Sequence, residues 1–73
     1  MELREYYNYL IDRNIVSGGA LQLIIEINGY NEQTLDDVLH SQTGYRDIKS
    51  YLYYEDKETF KEYYSPDNIK EII

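Results

Sequence analysis

The aromatic content of this chain is almost entirely tyrosine: ten Tyr against one Phe and no Trp in 73 residues. Each tyrosine brings a large apolar body with a polar tip that needs a partner or water. Such a chain must therefore build a core that opens onto its own surface. The length sharpens the constraint. A domain of this size buries only roughly 60–65% of its unfolded surface, so residues 1–73 are expected to form one small domain around a single core. There is no cysteine. No disulfide or thiolate metal site is available, which suits a reducing compartment. The longest uncharged run, Asn14 to Ile25, is too short and too polar to span a bilayer. Glu2 and Arg4 with no apolar stretch behind them argue against a secretory signal. The expectation is a soluble cytoplasmic protein with no membrane partner.

Apolar spacing and cap residues predict short helices throughout. Leu3, Tyr6, Tyr7, Leu10 and Ile11 share one stripe of a first helix spanning Glu2 to Asn14, with Arg13 near its negative pole. Ser17 is a suitable N-cap for a second helix ending at Asn28, with Gly29 just beyond it. The same segment also alternates as a strand would, through Leu21, Leu23, Ile25 and Ile27, and Asn28-Gly29 is a common hairpin turn. No second alternating run follows, so helix is the expectation there. Asn31 caps a third helix, or Thr34 with Asp37 forms a capping-box-like start. Leu35, Val38 and Leu39 are its buried stripe and Gly44 ends it. Asp47 caps a fourth segment with Ile48, Tyr51 and Leu52 inward. Asp56 caps a fifth with Phe60, Tyr63 and Tyr64. Ser65-Pro66 marks a restart, after which Ile69, Ile72 and Ile73 fall together. The fold class is all-α, a compact bundle of five or six short helices.

The formal charge is −7, and it is unevenly placed. No Lys or Arg occurs between Asn14 and Tyr45, where Glu26, Glu32, Asp36 and Asp37 all fall. This suits ordinary solvated surface charge. The sharper reading is an acidic patch that meets a basic protein. Glu32, Asp36 and Asp37 are all expected to be exposed.

Signals for chemistry are weak. His40 is the only histidine, and its neighbour Ser41 would point about 100° away on a helix, so the two do not make a nucleophile and base. The acidic residues lack the glycine and glutamate positions of a calcium loop. Gly18-Gly19 follows no strand and precedes no lysine, so it is not a phosphate cradle. The chain is expected to be no enzyme and to need no cofactor or metal. The tyrosines point instead to binding. In the doublets Tyr6-Tyr7, Tyr53-Tyr54 and Tyr63-Tyr64 the two rings diverge by about 100°, so some rings must be partly exposed. Tyrosine is enriched at protein interfaces. Base stacking needs a positive groove, so direct nucleic-acid binding is disfavoured.

Two resemblances add to this reading. From Leu21 to Tyr54 the chain resembles the ubiquitin-associated type of three-helix domain. Asn28-Gly29-Tyr30 stands at its Met-Gly-Phe-like loop; Leu35, Val38 and Leu39 match its second-helix core; Gly44, Ile48, Tyr51 and Leu52 match its third helix. Asn28 departs from the apolar first loop residue, and ubiquitin binding is not implied. Through phrases such as Ile27-Asn28-Gly29-Tyr30-Asn31-Glu32 and Thr43-Gly44-Tyr45-Arg46-Asp47, the whole chain also resembles short acidic, Tyr-rich proteins of Gram-positive phages and mobile elements. That resemblance implies a host-directed role. The resulting expectation is a modulator or inhibitor that binds a basic host protein, such as a nuclease or DNA-binding component, in the manner of a DNA mimic. Glu26, Glu32, Asp36 and Asp37 would carry it, with Tyr30 and Tyr45 as flanking anchors. The alternative is a structural domain that forms a homodimer through exposed Tyr doublets.

Overall fold

Four local caps divide the chain. Ser17 Oγ accepts the Ala20 N–H at 3.2 Å, Asn31 Oδ1 that of Thr34 at 2.9 Å, and Asp47 Oδ1 that of Ser50 at 2.9 Å. Asp56 Oδ1 does the same for Thr59 at 3.4 Å. Each satisfies a first-turn amide that has no partner within its helix. In the computed structural model, which describes residues 1–64, these caps open four of five helices: α1 (Leu3–Asp12), α2 (Gly18–Asn28), α3 (Glu32–Thr43), α4 (Ile48–Glu55) and α5 (Lys57–Tyr64). The described residues contain no strand, and the all-α class holds. The restart expected at Ser65-Pro66 and the cluster of Ile69, Ile72 and Ile73 lie outside the described residues.

The segment Leu21 to Ile27, which alternates like a strand, is helical. Its end is set by Gly29, whose φ of 102° a side chain would strain and whose N–H bonds the Ile25 carbonyl at 2.7 Å. Gly44 closes α3 in the left-handed region at φ 89°. Asn31, not Thr34, is the α3 cap. Thr34 lies inside the first turn and is buried, with its hydroxyl 3.2 Å from the same Asn31 oxygen.

The core is formed by Tyr6 and Leu10 of α1, Leu21 of α2, Leu35, Val38 and Leu39 of α3, and Ile48 and Leu52 of α4. α3 contributes most because α1 and α2 both pack on it. Burying each such side chain contributes about 1.5–3 kcal/mol. α5 buries no residue fully and packs chiefly on α4. Its Phe60 and Tyr64 lie against the margin of the core. Among the described residues, no buried side-chain nitrogen or oxygen lacks a hydrogen-bond partner. No helix among them is long and apolar enough to cross a membrane.

Candidate functional site

The acidic residues singled out from the sequence do not behave alike. Glu26 is exposed on α2, and Glu32 and Asp37 are exposed on α3. Asp37 accepts a hydrogen bond from the Gln33 side chain at 3.3 Å. Asp36, expected to be exposed, is half-buried, and its Oδ1 accepts the Tyr6 hydroxyl at 2.5 Å. Burial raises the Asp36 pKa above its ordinary value. Glu32, Asp47 and Asp37 add to the rise, and the Tyr6 hydroxyl opposes it. The Tyr6 phenol is held far above its ordinary value, first by burial and then by the same hydrogen bond. Asp36 is therefore a structural acceptor rather than a free surface charge.

Tyr30 and Tyr45 are not brought together. Tyr30 lies just before α3 and Tyr45 just after it, and a helix of 12 residues separates its ends by about 18 Å. Tyr45 is engaged within the chain. Its hydroxyl donates to Glu55 Oε2 at 2.6 Å, its ring stacks on Tyr54 at 6.0 Å, and its edge-to-face contact with Tyr51 is 5.5 Å. That hydrogen bond is the first cause of its raised pKa. Tyr30 is 49% exposed and touches Tyr7 edge-to-face at 6.1 Å.

The most open apolar surface lies elsewhere, on α2. Leu23 is 58% and Ile27 76% exposed, and four-residue spacing puts both on one helix face. Tyr30 lies just past the end of α2 and lines the groove beside it. Glu26, three residues after Leu23, borders the Leu23–Ile27 stripe on one side, and Ala20 and Ile24 on the other. On the Glu26 side the surface continues into this groove, of about 390 Å³ and lined by Arg4, Tyr7, Asn8, Gln22, Ile25 and Tyr30. The Tyr7 hydroxyl approaches Gln22 Oε1 at 3.5 Å across it. The stripe was legible in one respect. Leu21, Leu23, Ile24, Ile25 and Ile27 surround a single helix, a pattern proper to a helix buried on all sides. The other described helices of this small domain leave one side of it open.

A second surface runs along α4 and α5. Tyr53 and Tyr54 are 46% and 69% exposed and meet edge-to-face at 4.9 Å. Tyr53 also contacts Phe60 at 5.3 Å and lies under the Lys57 ammonium at 4.6 Å. Its rings are thus largely satisfied by one another. Beneath it, Asp56 joins the end of α1 to the start of α5. It accepts from Tyr9 at 2.8 Å, from Arg13 at 2.6 Å and from the Thr59 hydroxyl at 2.8 Å. Burial works against the Asp56 carboxylate. The bonds from Tyr9 and Thr59, together with Arg13, outweigh it and lower its pKa. Arg13, expected to serve the helix dipole, is spent largely on this link.

His40 is exposed in the last turn of α3, and the Ser41 hydroxyl donates to the Val38 carbonyl at 3.0 Å. No group of three or more His, Cys, Asp or Glu among the described residues is placed to hold a metal ion. No protein family, curated protein or solved structure matches the chain.

Proposed function

We propose that this chain is a non-enzymatic protein-binding module that docks a basic partner on the exposed face of α2. The observation that carries the reading is the exposed Leu23–Ile27 pair on α2, with the half-exposed Tyr30 past the helix end, an apolar surface left open by a small core and bordered on one side by Glu26. The charge distribution selects the partner. From Asn14 to Tyr45 there is no cation, while Glu26 borders the stripe and Glu32 and Asp37 stand exposed on the next helix. Apolar residues supply the affinity of such an interface, and the rim carboxylates supply steering and discrimination against acidic competitors. The narrower, DNA-mimic form of the reading uses the same carboxylates in place of phosphates, against a nuclease or DNA-binding host protein. The engagement of Asp36 with Tyr6 leaves Glu26, Glu32 and Asp37 to serve it.

The test is binding of a captured and purified partner across a salt series. Leu23→Gln with Ile27→Gln should weaken binding at least tenfold, and Glu26→Gln should flatten the salt dependence. Tyr45→Ala should leave affinity unchanged. If the α2 variants bind normally and Tyr53→Ala with Tyr54→Ala do not, the α2 reading is wrong. The exposed Tyr53–Tyr54 pair supports one other reading, self-association through α4. Sedimentation of the chain alone decides it: a stable dimer dissociated by the Tyr53 and Tyr54 substitutions would establish that role.

A further inference from the structure

We infer that the occupant of the α2 face is an amphipathic helix of the partner, carrying Lys or Arg along one shoulder of its apolar stripe; this rests on the docking reading above. Leu23 and Ile27 follow i, i+4 spacing on α2, about 6 Å apart along the helix axis, and Tyr30 stands just past the helix end. A second helix meets that spacing with its own ridges at the same intervals. An extended peptide has no comparable seat: the described residues offer no sheet edge, and the amides of α2 beyond its first turn are consumed within the helix.

The two ends of the face differ in a way that fixes the fit. Toward its start the helix presents Gly19 and Ala20, both exposed, and a side chain built at Gly19 would meet nothing within 4 Å. A partner helix can approach closely there. Toward its end, the groove beside Tyr7 and Tyr30 has room for one large apolar side chain at about 390 Å³. Arg4 on the groove's lining disfavours a cation in that pocket. Glu26, one step round from Leu23, receives the cation instead. The face therefore calls for an uncharged anchor beside a basic shoulder.

A second copy of this chain is a poorer occupant. In a two-fold antiparallel pair of α2 faces, equal shoulders meet, so Glu26 would face Gln22 and Glu26 of the copy.

The probe is a synthetic peptide with Leu at i, i+3, i+4 and i+7 and Lys on one shoulder. It is compared with the same peptide bearing Glu for Lys, and with one interrupted by a central Pro. Binding to the full isotope-labelled chain is followed by NMR. The Lys helix should bind, with shifts at Tyr7, Leu23, Glu26, Ile27 and Tyr30. The Glu and Pro versions should bind at least tenfold more weakly, as should the Lys helix to the Leu23→Gln, Ile27→Gln chain. Equal binding of the helical and Pro peptides at this face would overturn the helical occupant and leave the docking surface standing. Shifts confined to Tyr53 and Tyr54, or no binding, would overturn both. Concentration-dependent shifts at Leu23 and Ile27 without peptide would assign the face to a second copy. Methyl contacts from Leu23 or Ile27 to Ile69 or Ile72 would assign it to the chain's own end.

Discussion

Replacing Tyr6 with Phe isolates the bond that separates Asp36 from the rest of the acidic surface. The ring is retained, and at 2% exposure it keeps its packing. What is lost is the hydroxyl 2.5 Å from Asp36 Oδ1. A hydrogen bond to a charged group contributes about 1.5–3 kcal/mol. Asp36 remains partly in water, so the lower part of that range, about 1.5–2 kcal/mol, is expected. For a domain of this size that lowers Tm by about 6–16 °C. Asp36→Asn keeps a carbonyl to accept the phenol and removes a charge facing Glu32, Asp37 and Asp47, so it should stay within about 0.5 kcal/mol of wild type. The double variant leaves no uncompensated carboxylate and should recover about 1 kcal/mol relative to the sum of the single changes. The pH profile carries the same signature. The folded-state pKa of Asp36 lies above its unfolded value, so the folded chain binds more proton between the two. Stability from this group therefore falls as pH rises from about 4 through the folded pKa. Tyr6→Phe should extend that fall to higher pH, and Asp36→Asn should abolish it. Urea unfolding followed at 222 nm from pH 4 to 8 measures all of this. A Tyr6→Phe cost under about 0.5 kcal/mol, or strict additivity with Asp36→Asn, would refute the pairing.

Leu21→Ala should cost about 2–5 kcal/mol and Leu23→Ala less than about 0.5 kcal/mol, because the first is fully buried and the second largely exposed; comparable costs in urea melts would mean that α2 is rotated. Above pH about 10 the unfolded tyrosines ionise while Tyr6 and Tyr9, both with raised pKa, stay protonated. Stability should then drop by up to about 1.4 kcal/mol per pH unit for each, and a flat urea midpoint from pH 9 to 11 would contradict this. Asp56→Ala removes a cap and the link to Tyr9 and Arg13. It should speed amide exchange in Phe60 to Tyr64 before the rest of the chain, and a uniform increase would show that α5 is not separately held. The lowered pKa of Asp56 means its contribution is present above the ordinary carboxylate range and lost as pH falls through the folded value.

The elements were legible because their signals are local. Ser17, Asn31 and Asp47 each cap an amide three residues on, and Gly29 and Gly44 end helices by a backbone conformation of their own. The stripes Leu35, Val38 and Leu39, and Ile48 with Leu52, also survived, since periodicity alone places such residues on one face. The site was decided at longer range. Tyr6 takes Asp36 out of the acidic patch across 30 residues of sequence, and Arg13 meets Asp56 across 43. Tyr30 and Tyr45, set in like Gly-Tyr contexts, fall at opposite ends of α3 because a rigid helix holds them apart. For α2 the sequence left the rotation open: apolar residues ring the helix, so no stripe says which side is inward. Only packing on α3 put Leu21 in the core and turned Leu23 and Ile27 outward, because the other described helices leave that side of α2 uncovered.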